Sequence, residues 1–410
     1  MINIVIGSNY GDEGKGQTTD FLTKNSDNPI IIKYSGGAQA GHTSSGIVHH
    51  QYGSGLVETC LTSEFIFNPY LAKRECTDLD AAGIKPPLLR VSEDCKVTTP
   101  FDVLCNQIKE TIKGDDRNGS CGMGIWETIR KPKPLFLKDV VKAKDNPELK
   151  EELFNECTRN YYQVTSALSA LEIDLPEEFH WLRETKTATI WDDWWKEVIP
   201  FIENSEFIQI YSNEFKYLRK VCKNRDIIFE GSQGLLLDPI LSPDLYKYTT
   251  PTMVNSYNPV RTIQELGRKD TVRTWYCTRT YFTRHGNGPF ETEGDFSFPD
   301  KTNKPNEWQG NLRFGYFDFD LFNKTIENDQ YYYSKLKNPK EVGFSITYGD
   351  KTNYRFLTFK DEFTDMIVVD RNIILFQNEQ TKSGKLTTNY SGSIKVLSEN
   401  LGFSQANSAK

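Results

Sequence analysis

Gly11-Asp12-Glu13-Gly14-Lys15-Gly16 places two carboxylates and a lysine inside one glycine-rich turn. Glycines let backbone amides close around an anion and the lysine adds a point charge, which is the chemistry of a phosphate-holding loop. The Walker pattern GxxxxGK[ST] fails, because Asn9 stands where its first glycine belongs and Gly16 replaces the hydroxyl residue that would hold magnesium. A tight turn between strand and helix would account for the glycines, but not for the acids and the lysine. Asp12 would face a triphosphate unless it has a task, such as binding magnesium or taking a proton from a second substrate. A second run, Ser35-Gly-Gly-Ala-Gln-Ala-Gly-His-Thr43, ends in His42, an imidazole able to donate to a transferring phosphoryl group. Taken singly, a histidine is more often structural.

These residues need elements to hold them. Ile2–Ile6 is a β-rich run that stops at Gly7, and Gln17–Leu22 reads as the start of a helix, which predicts a strand-loop-helix unit. The predicted strand Pro29–Tyr34 opens into the second glycine run, so two such loops gather at one sheet edge. Asp226–Glu230 reads as a buried strand ending in Gly231-Ser-Gln-Gly-Leu-Leu-Leu-Asp238, and Thr271–Thr280 as a strand before the loop Thr283–Glu293. Gly343–Tyr348, Tyr354–Thr358 and Met366–Val369 complete the predicted strands, and the tail after Asn400 is polar. From about 140 to 225 the period turns helical, with Glu148–Ala170 and Trp191–Ile202 carrying apolar residues at three- and four-residue spacing. That stretch is expected to be a helical insertion in a single domain spanning 1–410.

Composition narrows the class. The 410 residues carry 49 Lys+Arg against 56 Asp+Glu, a formal charge of −7, so no cationic surface for a nucleic acid polymer is expected. Hydrophobic residues at 37% and aromatics at 13% are enough for a packed core, which excludes a disordered or fibrous chain. No apolar run reaches the roughly 18 residues of a membrane span and no leader is read at the start, so the expected setting is cytoplasmic, with no membrane partner. Eight cysteines stand singly, without CxxC pairs, and neither a zinc site nor a disulfide framework is expected.

Four motifs taken together resemble the adenylosuccinate synthetase family. They are Asp-Glu-Gly-Lys-Gly at 12–16, Gly-Gly-Ala-Gln-Ala-Gly-His-Thr at 36–43, Phe-Glu-Gly-Ser-Gln-Gly-Leu-Leu-Leu-Asp at 229–238 and Thr-Arg-His-Gly-Asn-Gly-Pro-Phe-Glu-Thr-Glu at 283–293. The resemblance implies an α/β fold of the P-loop NTPase-like adenylosuccinate synthetase type, a mostly parallel central sheet flanked by helices. It implies a carbon-nitrogen ligase joining L-aspartate to a 6-oxopurine nucleoside monophosphate at the expense of a nucleoside triphosphate, with Mg2+, as a homodimer. Asp12 matches the proton acceptor and His42 the residue that stabilises the transferring phosphoryl. Glu13, Gly14, Lys15, Gly16, Gly41, His42 and Thr43 match the donor-phosphate contacts, and Asp12 and Gly41 the magnesium ligands. Asp12, Gln39, Ser120, Cys121, Gln233, Thr250 and Lys133 match the acceptor-nucleotide side.

The chain departs from the family pattern at three places, the first on the acceptor side, where Cys121 stands for a threonine and Met123 for an arginine. The aspartate loop, TTGRRRR in cellular enzymes, is Asn306-Glu-Trp-Gln-Gly-Asn-Leu-Arg313 here, leaving Arg313 as the carboxylate clamp with Gln309 and Asn311 as neutral donors. The guanine-reading TKxD is Thr347-Tyr-Gly-Asp350, so Asp350 remains but Tyr348 replaces the lysine, which opens the donor to ATP or dATP. Ser391 and Gly392 resemble the other base-side loop. Together these changes resemble the phage branch of the family, which makes N6-succino-2-amino-2′-deoxyadenylate from dGMP for 2-aminoadenine DNA. The alternatives are a divergent enzyme using IMP and GTP, a catalytically idle nucleotide-binding protein on the same fold, and a simple NTPase.

Overall fold

A computed structural model of the chain describes residues 1–44, 46–299, 308–352, 355–358, 363–365 and 373–377. Its centre is a nine-stranded sheet, in the spatial order Ile373–Gln377, Lys340–Thr347, Val272–Arg279, Ile2–Gly7, Ile227–Gly234, Ile30–Lys33, Thr59–Leu61, Leu89–Ser92 and Ile208–Tyr211. Every neighbouring pair runs parallel except the last-formed edge, where Ile373–Gln377 pairs antiparallel with Lys340–Thr347. Helices cover the sheet, as expected for strands buried on both faces: all of Ile2–Gly7 and all of Val272–Arg279 are buried.

The first strand leads through the turn into the helix Lys15–Lys24, and the chain then returns as Ile30–Lys33. These two strands are not neighbours; Ile227–Gly234 lies between them, with Ile4 opposite Phe229 and Phe229 opposite Ile32. Three glycine-bearing loops therefore leave the sheet side by side at its carboxyl edge, where ligands bind in open α/β sheets.

Asn68 and Thr99 start the helices Pro69–Ala81 and Pro100–Lys113 by accepting the amides of Leu71 and Asp102, each followed by proline at the first helical position. The expected helical stretch contains Leu137–Ala143, Pro147–Ala170 and Thr187–Asn204. Their apolar faces, including Tyr161, Trp191, Trp194 and Trp195, join Phe101 and Ile108 in one buried cluster. The helical period does not hold as far as 225, because Ile208–Tyr211 is a strand that closes one sheet edge beside Leu89–Ser92. Met366–Val369 and the tail after Asn400 lie outside the described residues, while Arg355–Leu357 is a strand as expected.

Asp329 is buried on the helix Phe319–Tyr333, accepting the Ser256 amide at 2.7 Å and the Tyr276 hydroxyl at 2.8 Å. Burial pushes its carboxyl up to about 6 against these hydrogen bonds. The folded chain therefore holds this proton more tightly than the unfolded one, so stability falls as pH rises from about 4 to about 6 and stays lower above that. Asp329→Asn is expected to remove a pH-dependent difference of roughly 2 kcal/mol, read as urea unfolding free energies at pH 4.5 and 7.5. A pH slope unchanged in the variant would contradict this assignment.

Candidate active site

The turn after the first strand is organised around Glu13. Its Oε1 accepts the Asn9 and Gly11 amides at 3.0 and 2.8 Å, and Lys15 Nζ lies 2.8 Å from its Oε2. Both Glu13 and Lys15 are buried. Gly14, at φ +83°, caps the helix Lys15–Lys24 from the left-handed region, and a Cβ there would sit 2.4 Å from Thr347 Cγ2. Glycine is required at this position on both counts. The open amides of the helix N-terminus and the Lys15 ammonium face the same turn, an arrangement suited to a polyphosphate.

Asp12 sits at the tip with φ +63°, a conformation that costs a non-glycine residue roughly 1–2 kcal/mol. Arg279 Nε donates to its carbonyl oxygen and holds it there. The guanidinium of Arg279 lies over the Tyr348 ring, 3.7 Å from the centroid. The Asp12 carboxylate meets His285 Nε2 at 2.8 Å through Oδ2. Removal from water would raise this carboxyl, but the hydrogen bond and charge of His285, with Arg279 and Lys15, outweigh that and hold it well below the usual carboxylate range.

His42 opens the short strand His42–Ser44, where it pairs across from His49, and Thr43 follows half-buried. A Cβ on Gly16 would lie 2.9 Å from the His42 Cβ, so the two glycine loops touch at the first helical turn. His42 Nδ1 is 2.7 Å from Glu230 Oε1, and Nε2 is 3.4 Å from the Ser232 carbonyl. Glu230 is fully buried and also accepts from the Ser54 amide at 3.1 Å and from the Ser54 hydroxyl. Burial works to raise the Glu230 carboxyl, yet Lys33, His42 and Ser54 bring it down to about 2. Burial in turn lowers His42 and Lys33. An ionised Glu230 accepts a hydrogen bond from His42 Nδ1–H, which fixes the orientation of the ring; Nε2 donates only when the ring is protonated, and the Glu230 charge favours that cation against burial.

On the opposite wall, Gln233 Oε1 would be 3.5 Å from a Cβ on Gly11, and Gln39 Nε2 reaches Thr250 Oγ1 at 3.5 Å. Ser120 donates to Asn106 Oδ1 at 2.8 Å, and its amide is held by Glu110. Half-buried Cys121 follows, its thiol pushed up to about 11 by burial, so it stays neutral. This turn is brought to Asp12 through glycine contact, because a Cβ on Gly119 would lie 2.2 Å from Gly286 Cα. Gly41 is exposed next to His42.

A profile described as adenylosuccinate synthetase matches residues 4–336. The chain belongs to the adenylosuccinate synthetase family. Adenylosuccinate synthetases of Acaryochloris marina and Microcystis aeruginosa are 30% identical over 302 residues and 28% over 304, each alignment covering 71% of this chain. The chain spans 62% of the length of each of these relatives. A fully ligated adenylosuccinate synthetase from Plasmodium falciparum has the same fold, with a TM-score of 0.56 at 19% identity over 85% of this chain and 77% of that one. A cyanophage S-2L succinoaminodeoxyadenylate synthetase, described as bound to dGMP and dATP, aligns at 16% identity and a TM-score of 0.49 over 79% and 81%. No helix among the described residues is long and apolar enough to cross a membrane.

Within this family framework, some expected site residues are already engaged. Lys133 is exposed and bound to Glu152 at 2.7 Å on the helix Pro147–Ala170. Arg313 lies on Leu312–Gly315, directly across from Arg284 of Phe282–His285. Its Nη1 is 2.7 Å from Glu293 Oε2, its Nη2 donates to the Gly288 carbonyl, and its guanidinium sits over Phe290. Gln309 is half-buried and Asn311 exposed on the same approach. Asp350 belongs to the turn Gly349–Thr352, but its side chain, with Ser391 and Gly392, is outside the described residues.

Four groups escaped the sequence reading as site residues, among them Arg279, which holds the Asp12 carbonyl. Glu230 and His285 stood inside the quoted motifs, but nothing local to either says which partner it meets. Arg284 is buried against Tyr10, its guanidinium 4.3 Å from the ring centroid, and burial lowers its pKa.

Proposed function

We propose that the protein is an adenylosuccinate synthetase-type ligase that joins L-aspartate to C6 of dGMP, with ATP or dATP as phosphoryl donor. The observation that carries the ligase reading is the convergence of Asp12, Lys15 and His42 at one helix N-terminus, with His42 backed by ionised Glu230. In this reading the triphosphate lies along the loop amides, Lys15 and Thr43. Asp12 Oδ1 takes the N1 proton of the acceptor purine as O6 attacks the γ-phosphorus, and the bond to the bridging oxygen breaks with its electron pair leaving on the diphosphate. His42 in its protonated form would donate from Nε2 to the equatorial oxygens, where charge develops, with ionised Glu230 balancing the cation. The aspartate amine then adds to C6, the 6-phosphoryl group departs as phosphate, and the amine loses a proton.

Gln39, Gln233, Ser120, Cys121 and Thr250 would hold the acceptor nucleotide. Arg313, with Gln309 and Asn311, would hold the aspartate carboxylates, exchanging its bond to Glu293 for a substrate bond. A lone pair of the Asp12 carboxylate other than the one that takes the proton, and the carbonyl of exposed Gly41, are hard oxygen donors of the kind magnesium takes. Bound there, magnesium would neutralise the polyphosphate. We further propose that the chain acts as a homodimer in the cytoplasm.

The choice of dGMP rests on the resemblance to the phage branch, which the shortened aspartate loop with its single Arg313 and Tyr348 in place of the base-side lysine carry. The test supplies L-aspartate and magnesium with ATP, dATP or GTP, and either dGMP or IMP, and reads the succinylamino product by mass. Product from dGMP is expected. Product from IMP alone would overturn the acceptor assignment in favour of the IMP-using enzyme, and no product from either would overturn the ligase reading.

A further inference from the structure

His285 ends the strand Phe282–His285, opposite Leu312 of the neighbouring strand. The residue after it, Gly286, turns at φ +76° and packs on Gly119, with its Cα too close to admit any side chain there. The ring is therefore placed by two loops in contact. On the other side, Asp12 is fixed by its left-handed backbone and by Arg279 on its carbonyl. The backbones of both partners of the 2.8 Å contact are thus held by the fold, and the contact itself sets the side-chain torsions.

We infer that His285 is a positioning residue for the Asp12 carboxylate: its Nε2–H holds Oδ2 and so turns Oδ1 toward the acceptor nucleotide. The inference rests on the reading of Asp12 as the proton acceptor. The terminal torsion of an aspartate is broad, so without an anchor the two oxygens exchange places and rotate off line. A hydrogen bond to one of them selects a single orientation, and a proton transfer depends steeply on that orientation. Lys15 and Arg279 attract the same carboxylate by charge, which has no fixed direction at either oxygen, whereas the His285 hydrogen bond is directional.

The test compares His285→Ala with His285→Gln, whose amide nitrogen can reach the place of Nε2. His285→Ala is expected to lower kcat about 10–100-fold, with the KM for the acceptor nucleotide within about threefold of the parent. His285→Gln is expected to recover most of the loss. A loss in Ala that appears in KM, or that Gln fails to recover, would overturn the positioning role, as would an unchanged kcat. A second measurement does not depend on turnover: 15N–1H spectra of the histidine side chains should show a slowly exchanging Nε2 proton of His285 that vanishes in Asp12→Ala. Its absence from the parent chain would overturn the pairing. Its presence in a chain that turns over no purine would place the failure in the assignment of the reaction instead.

Discussion

Asp12→Asn should lower product formation by about 10²–10⁴-fold while leaving the fold close to that of the parent. Asparagine keeps the shape, tolerates the left-handed backbone and can still accept from His285 through its carbonyl oxygen. What it cannot do is take a proton. The carboxyl is held well below its usual range by His285, Arg279 and Lys15 against the cost of leaving water, so it is ionised throughout the neutral range. Such a weak base removes a purine proton only as the O6 attack proceeds, because the developing phosphoryl bond must drive the transfer. Single-turnover assays with the acceptor, aspartate and a triphosphate check this by following phosphate and succinylamino product together. Product at the parent rate would remove Asp12 from the mechanism. Phosphate release that persists without aspartate would point to simple hydrolysis.

Glu230→Ala should destabilise the fold by roughly 3–5 kcal/mol and lower turnover about 10²–10³-fold through His42. The carboxylate is fully buried and accepts from His42 and twice from Ser54, with the buried Lys33 ammonium nearby. Lys33 donates to the His50 and Tyr52 carbonyls at 2.6 and 3.2 Å, so the substitution strands a buried cation that cannot retreat to water. The pH dependence gives an independent reading. The folded carboxyl titrates at about 2, below its ordinary value, so the contribution is complete above about pH 4.5 and disappears as pH falls through about 2. Its size is on the order of 3 kcal/mol. Urea titrations at pH 7 and pH 3 should show a gap between parent and variant that narrows at the lower pH. An equal gap at both would mean that lost packing, not charge, accounts for the effect.

The residues that carry charge at the loops were legible because their spacing is local. A strand that stops at glycine, an acid pair, a lysine and a helix start lie within about fifteen residues of one another, and turn chemistry acts over that range. The helices Pro147–Ala170 and Thr187–Asn204 were legible for the same reason, since their apolar period runs for many turns. The short strands Thr59–Leu61, Leu89–Ser92 and Ile208–Tyr211 were not, because three or four residues contain too few alternations to show a period.

By itself the sequence determined the phosphate-type loop, the presence of Asp12 and His42, and the alternation of strand and helix. Only the tertiary structure decided who meets whom. Placing Ile227–Gly234 between Ile2–Gly7 and Ile30–Lys33 puts Glu230 behind His42 across 188 residues of chain, and strand pairing carries His285 to Asp12 across more. It equally decided that Lys133 serves Glu152 and that Arg313 rests on Glu293. Parallel strands are joined by crossovers, so their neighbours are chosen by burial of whole faces rather than by adjacency, and a partner chosen that way leaves no mark in local spacing.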